Sequence, residues 1–428
     1  MRKIFPLSMV YLVGLVLVYF NVLNRGSNVT SFVCLYAVTF MLAPSIRAIS
    51  PLSIFFVYYG VWYVAAPLLA ERYEGMLDRP EYSLALALAY TVFGLGVIAL
   101  VGGQKFASRN RFVELERINP LTLGPLRRWV LLLYATSTLF VLLIVTFSGG
   151  LEKWANDPGD AFLTRSGSGV YVVLSHFSSM ALATLSGYLA FRTRRKTPIV
   201  VFLVWLAVTS PVHGSKAQIS FLTILLFLPW LRSLRLASMK SFLLYGSLVG
   251  IFFLGLYFRN LTWIDTSTVI PYALNYFNVL ENLAMSVHDF NPSFLMTFFL
   301  PFVKLLTPFG VADSSTYYDM NHLLTDLYFP TAWEIRATEQ WPVETDLYLN
   351  FFFVGGLPLV AAYFFVIGVI YGRANKQNSL GAWFAAILFT LFMISHLRGS
   401  LINHTDLYMY PYILAMYYLL RNVPVRRE

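Results

Sequence analysis

Between Thr331 and Tyr348 the chain crowds Trp333, Glu334, Arg336, Glu339, Trp341, Glu344 and Asp346 into one stretch. It then runs straight into an apolar helix containing Gly355-Gly356. Glu344 and Asp346 fall at the start of that helix, where the positive end of the dipole stabilises carboxylates and a capping group is wanted. Two readings stay open for them. They cap the helix, or one of them, at the mouth of a cavity, takes the proton from an attacking hydroxyl. The loop from Ser395 to Asp406 offers a second set of such groups, His396, Arg398, His404 and Asp406. Interface capping and loop hydrogen bonding are the plainer use of these.

Cations form the other half of the pattern. Lys216 sits in Val212-His213-Gly214-Ser215-Lys216-Ala217 between two short apolar segments, and Arg259 directly follows Leu256-Tyr257-Phe258. With Arg165, Arg336 and Arg398 they stand on a side of the molecule that is otherwise acidic. A cation at membrane depth is costly and faces a polar cavity or a partner, unless its long stem carries it to the headgroups. The headgroup reading suits Arg25, Arg72, Arg79 and Lys153 best. If several of the others converge on one outer cavity, they suit a pyrophosphate, whose oxygens a guanidinium grips two at a time.

Other chemistries lack their residues. The sequence has no phosphate-binding loop of the nucleotide-hydrolase kind and no dinucleotide glycine fingerprint. His176, His213, His288, His322, His396 and His404 make no HxxxH or HExxH pair, so no histidine metal site is expected. Glu71-Arg72-Tyr73-Glu74 and Glu344-Thr345-Asp346 are the places where a divalent ion could accompany a diphosphate. No cofactor is expected.

The elements that must position these groups are membrane helices. Of 428 residues, 58% are hydrophobic and 12% charged, against roughly 45–50% and about 25% in a soluble domain. A soluble globule is excluded. About twelve mostly apolar segments approach the length of a bilayer span, near 5–23, 29–46, 52–70, 83–101, 128–147, 171–191, 198–212, 219–231, 241–258, 346–371, 380–395 and 407–420. The expectation is one all-α polytopic membrane domain over 1–428. Cys34, the single cysteine, is expected as a small core residue of a helix. Tyrosines and tryptophans at span ends, such as Tyr58, Tyr59, Trp62, Tyr63, Tyr417 and Tyr418, are expected as an interfacial belt.

Charge orients the chain. With the N-terminus inside, 21 of the 31 lysines and arginines fall on cytoplasmic segments, and 18 of the 21 acids fall outside. That is the positive-inside pattern with both termini cytoplasmic. The net charge of +10 then anchors the chain beside anionic lipid, and nucleic acid drops out as a partner. Among the outer loops 259–345 dwarfs the rest. It is expected to hold short helices in or near the outer interface, the alternative being two further spans within 270–306. The spans carry almost no charge at mid-membrane, against the habit of ion-coupled transporters.

These features resemble the O-antigen polymerase (Wzy) family of oligosaccharide repeat unit polymerases and, more distantly, the O-antigen ligases. The likeness spans the whole chain in architecture. Gly214-Ser215-Lys216-Ala217-Gln218-Ile219 is similar to the Ser-Arg-Gly stretch of these families, with Lys216 in place of arginine, so charge is kept and the two-pronged grip is not. The run from Glu344 to Gly355-Gly356 is similar to their acidic or histidine-containing helix start followed by a glycine pair. The resemblance implies a GT-C-like fold and glycosyl transfer from an undecaprenyl-diphosphate-linked glycan at the outer face of a bacterial inner membrane. It also implies a chain-length-regulating co-polymerase. On this reading Glu344 is the catalytic base, with Lys216, Arg259, Arg336, Arg398, Arg165, Asp346 and His396 binding substrate. A related ligase or lipid-linked glycosyltransferase is the alternative, and a non-enzymatic polysaccharide flippase or exporter is a third.

Overall fold

The computed structural model describes residues 4–43, 45, 47–109, 122–156, 158–163, 169–213, 216–259, 269–306, 317–334 and 338–425. Among these the protein is all-α, and Phe294 and Phe351 form an antiparallel bridge. Seven helices are long and apolar enough to cross a membrane: Ile4–Leu23, Pro51–Leu69, Pro80–Arg109, Leu123–Phe147, Gly169–Thr193, Val354–Lys376 and Leu380–Leu397. Val29–Leu42, Thr197–His213 and Met239–Phe253 are shorter apolar helices. The stretch 259–345 holds short helices, Val269–Asn275, Val279–Asp289, Leu300–Leu306, Met320–Tyr328 and Pro330–Glu334, and no span among its described residues.

Two compact units emerge. The first comprises Met1–Phe112, Ser267–Lys376 and Ala386–Pro411. At its centre the helix Pro80–Arg109 packs along Leu357–Lys376. A Cβ at Gly103 would lie 2.1 Å from the carbonyl oxygen of Phe365, and one at Gly368 2.5 Å from that of Leu100. Only glycine allows two backbones so close, the usual means of packing helices where lipid supplies no hydrophobic drive. Pro51–Leu69 begins with a reciprocal cap between Ser50 and Ser53 and a proline in its first turn. Over Gly60–Ala65 it widens into a π-helix.

The second unit comprises Val113–Thr266, Gln377–Ala385 and Tyr412–Glu428. Gly169–Thr193 is its hub, packed by Leu123–Phe147, Thr197–His213 and Lys216–Leu226. Phe177 and Tyr412 stack face to face with centroids 4.2 Å apart, and the Tyr412 hydroxyl donates to the Phe177 carbonyl at 2.7 Å.

Three expectations need correction. Cys34 is exposed on Val29–Leu42 rather than buried in a core. Tyr58, Tyr59 and Tyr63 are buried inside the first unit, so they are no part of an interfacial belt. The segment 346–371 is not one helix: it breaks between Asn350 and Val354.

Candidate functional site

The break is the centre of the site. Val343–Asn350 ends at Phe351, Phe352 and Phe353 have φ of 50° and 62°, and the chain re-enters a helix at Val354. The Val354 N–H donates to the Phe352 carbonyl at 2.8 Å, closing a three-residue turn at Phe353, where ψ is −64°. This left-handed γ-turn is rare and strained for a residue with a Cβ, and such strain persists where the surroundings over-determine it. Here they do. The segment 293–297 crosses the break, and the N–H groups of Ser293 and Leu295 donate to the carbonyls of Tyr348 and Asn350 at 3.0 Å. Phe352 N–H returns to the Ser293 carbonyl at 3.0 Å. The Asn350 side chain accepts from Thr297 N–H at 2.7 Å and donates to the Thr297 hydroxyl at 2.8 Å. The long segment therefore supplies the partners that a broken helix loses. Gly356 is needed for room, since a Cβ there would sit 2.5 Å from a Leu347 methyl carbon.

Glu344 rides on the short helix and is 0% exposed. It does not cap: the N-cap is Pro342, and no side-chain cap is made. Instead Tyr59 donates to Oε1 at 2.7 Å and Tyr63 to Oε2 at 3.1 Å. The two phenols come from the end of the α-helical turn and from the π-helix, and their rings stack at 5.2 Å. Single π turns inside α-helices recur at functional sites. Burial pushes the Glu344 carboxyl up to about 7, against the pull of the tyrosine hydrogen bonds. A carboxyl in that range can hold or release a proton at neutral pH, as a general base must.

Asp346, two residues on, points to other partners. Its carboxylate accepts from the Leu401 N–H at 2.9 Å and from Asn350 Nδ2 at 2.6 Å. Burial raises it to about 6, with the Leu401, Asn350 and Ser400 hydrogen bonds opposing. Asp346 is thus a tie between the short helix and the loop after Leu397, and it caps nothing.

That loop carries Arg398. The guanidinium carbon lies 5.8 Å from the ring centroids of both Trp62 and Tyr276, and Nη2 donates to the Tyr276 hydroxyl at 3.3 Å. Nε is buried without a hydrogen-bond partner, and no ion pair of Arg398 occurs among the described residues. Trp62 is fixed in turn by its Nε1 donating to Gln340 at 2.9 Å. A cation held on aromatic faces with no acid beside it keeps its charge available for an anion.

His396 is buried at the end of Leu380–Leu397. Its Nε2 lies 2.9 Å from Asp406 Oδ2, and its Nδ1 lies 2.8 Å from the Tyr363 hydroxyl and 2.9 Å from the Phe392 carbonyl. His404 approaches Asp319 at 3.6 Å, and His322 Nδ1 lies 2.8 Å from the same carboxylate. Burial pushes Asp319 up, but the two histidines outweigh it and hold the carboxyl below the ordinary range.

The structure brings Glu344, Asp346, His396 and Arg398 into the first unit. Lys216 is the first residue of Lys216–Leu226 and Arg259 the last of Met239–Arg259, both in the second unit. Arg165 and Arg336 lie outside the described residues. No group of three or more His, Cys, Asp or Glu able to hold a metal occurs among the described residues. Sequence reading missed Tyr59, Tyr63, Asn321 and Tyr363. The i, i+4 spacing of Tyr59 and Tyr63 was a usable signal, since it puts two phenols on one helix face.

Comparison with protein-family models, curated proteins and solved structures finds no match to this chain.

Proposed function

We propose that the protein is a polysaccharide polymerase of the O-antigen polymerase (Wzy) type, joining undecaprenyl-diphosphate-linked repeat units. The observation that carries this reading is Glu344: a wholly buried carboxyl beside a helix break, held by two phenols and raised to about 7. In the proposed reaction a hydroxyl of the incoming unit attacks the anomeric carbon of the growing glycan. The bond from that carbon to the diphosphate oxygen breaks, Glu344 takes the hydroxyl proton, and the lipid diphosphate departs. Arg398, without an acid partner among the described residues, is one cation for the departing charge; Lys216, Arg259, Arg165 and Arg336 are proposed as others. Asp346 and His396 position the loop that carries Arg398.

The wider frame belongs to the same proposal. It has twelve spans in a GT-C-like arrangement, both termini in the cytoplasm of a bacterium, and the site on the periplasmic side of the inner membrane. Membrane lipids surround it, and a chain-length-regulating co-polymerase is its protein partner. The Tyr363–His396–Asp406 series favours a second reading, in which a ligase-like enzyme uses His396 as base, its imidazole oriented by a carboxylate. Incubating the purified protein with a lipid-linked repeat unit and no nucleotide tests the first reading. A ladder of longer glycans is expected, and an unchanged substrate refutes it.

A further inference from the structure

The two chemistry-bearing segments of the first unit meet on one side chain that neither contains. Met320–Tyr328 arises from the long segment and is capped by Asp319, whose carboxylate accepts the His322 N–H at 3.1 Å. Asn321, its second residue, donates from Nδ2 to the Arg398 carbonyl at 3.1 Å. Its Oδ1 accepts the Trp341 N–H at 3.2 Å. Each end of the amide faces the partner its chemistry requires, which fixes its orientation. Trp341 is fully buried, packs tilted against Tyr328 of the Asn321 helix with centroids 5.2 Å apart, and leads through Pro342 into the Glu344 helix. Gly399 leaves the amide room, for a Cβ there would lie 3.1 Å from Asn321 Nδ2. At the far end of the same loop His404 stands 3.6 Å from Asp319, so one helix meets the loop at both ends.

We propose that Asn321 is a positioning residue that sets the spacing between Arg398 and the Glu344 helix. One amide ties the backbone of the cation-bearing loop to the entry of the carboxylate-bearing helix. A misplacement of about 1 Å between reacting groups costs on the order of 10²-fold in rate. The inference deepens the glycosyl-transfer reading and rests on it for its kinetic consequence.

Three variants separate its parts, each examined as full-length protein by hydrogen–deuterium exchange and by elongation of an undecaprenyl-diphosphate-linked repeat unit. Asn321→Asp keeps an acceptor for Trp341 and offers no donor to the Arg398 carbonyl. It should speed exchange in 398–402 and leave the 341–345 amides protected. Its kcat should fall about tenfold, the worth of one such hydrogen bond, with KM near wild type. Asn321→Ala loses both bonds, speeds exchange in both segments and lowers kcat as well. Gly399→Ala, whose Cβ would press on Asn321 Nδ2 and on the Ser395 carbonyl at 3.1 Å, should shift exchange and kinetics in the same direction as Asn321→Asp and by less. Unchanged exchange in both segments of Asn321→Ala overturns the tie, and wild-type kinetics in all three variants overturn the positioning role. If exchange changes as expected but wild-type protein makes no ladder, the polymerase reading falls and the tie stands.

Discussion

At the scale of residues, Glu344 combines full burial with two phenolic donors and a carboxyl raised to about 7. With Glu344 as the proposed base, elongation should climb as pH rises through about 7, because a base works only when deprotonated. Glu344→Gln keeps the shape and removes the basicity, so turnover should fall roughly 10²–10⁴-fold while lipid-linked substrate still binds. The sign for stability is the reverse. A carboxyl raised in the folded state binds more protons there than in the unfolded chain, so it costs stability as pH climbs from the ordinary carboxylate range to about 7. Above that the cost is constant. Glu344→Gln should then unfold at a higher temperature than wild type at pH 8 and lose that advantage at pH 5; the same order at both values refutes the burial argument. Among the cations, Lys216→Ala and Arg259→Ala should each reduce elongation strongly at normal protein level, by about 3 kcal/mol of lost transition-state stabilisation. Lys216→Arg should retain more activity than Lys216→Gln. Normal ladders from both alanine variants remove these residues from the diphosphate site.

Among elements, the broken helix decides the geometry. A continuous helix from Val343 onward would leave no free carbonyls at Tyr348 and Asn350 for the segment 293–297 to meet. The break thus docks the long segment against the helix that carries Glu344 and Asp346. Phe352 tests the backbone cost directly, because it has φ of 50° and is 57% exposed. Phe352→Gly and Phe352→Val both lose the stacking with Phe294, yet they differ in tolerance of positive φ. The glycine variant should be the more stable by about 1–2 kcal/mol in a thermal or denaturant assay. A more stable valine variant means that the turn does not hold that conformation. The sequence betrayed the glycine pair and the acidic start but not the break. Phe351, Phe352 and Phe353 read as ordinary apolar positions, and the strain they absorb depends on a segment some fifty residues away in sequence.

For the whole molecule, seven helices meet the length and apolarity of a span among the described residues, and the proposed orientation rests on the distribution of basic residues. Reporter fusions after Arg117, Arg195 and Arg373 should read cytoplasmic, and fusions near Gly159 and Asp319 periplasmic. A cytoplasmic signal at Asp319 reverses the proposed sidedness. What the sequence determined by itself was what depends on composition and local period: an all-α membrane protein, the places of most of its apolar helices, and short helices in 259–345. It also marked Glu344, Asp346, His396 and Arg398, with Lys216, Arg259, Arg165 and Arg336, as residues with chemistry to offer. The tertiary structure alone decided what they touch. Tyr59, from the end of the α-helical turn, and Tyr63, from the π-helix, both reach Glu344, and Asp346 became a tie because Leu401 N–H reaches it from another loop. Asn321 acquired its place because two backbones meet at its amide. Hydropathy reports which residues leave water and is blind to which distant polar groups must then satisfy one another, and that pairing is settled only when the helices pack.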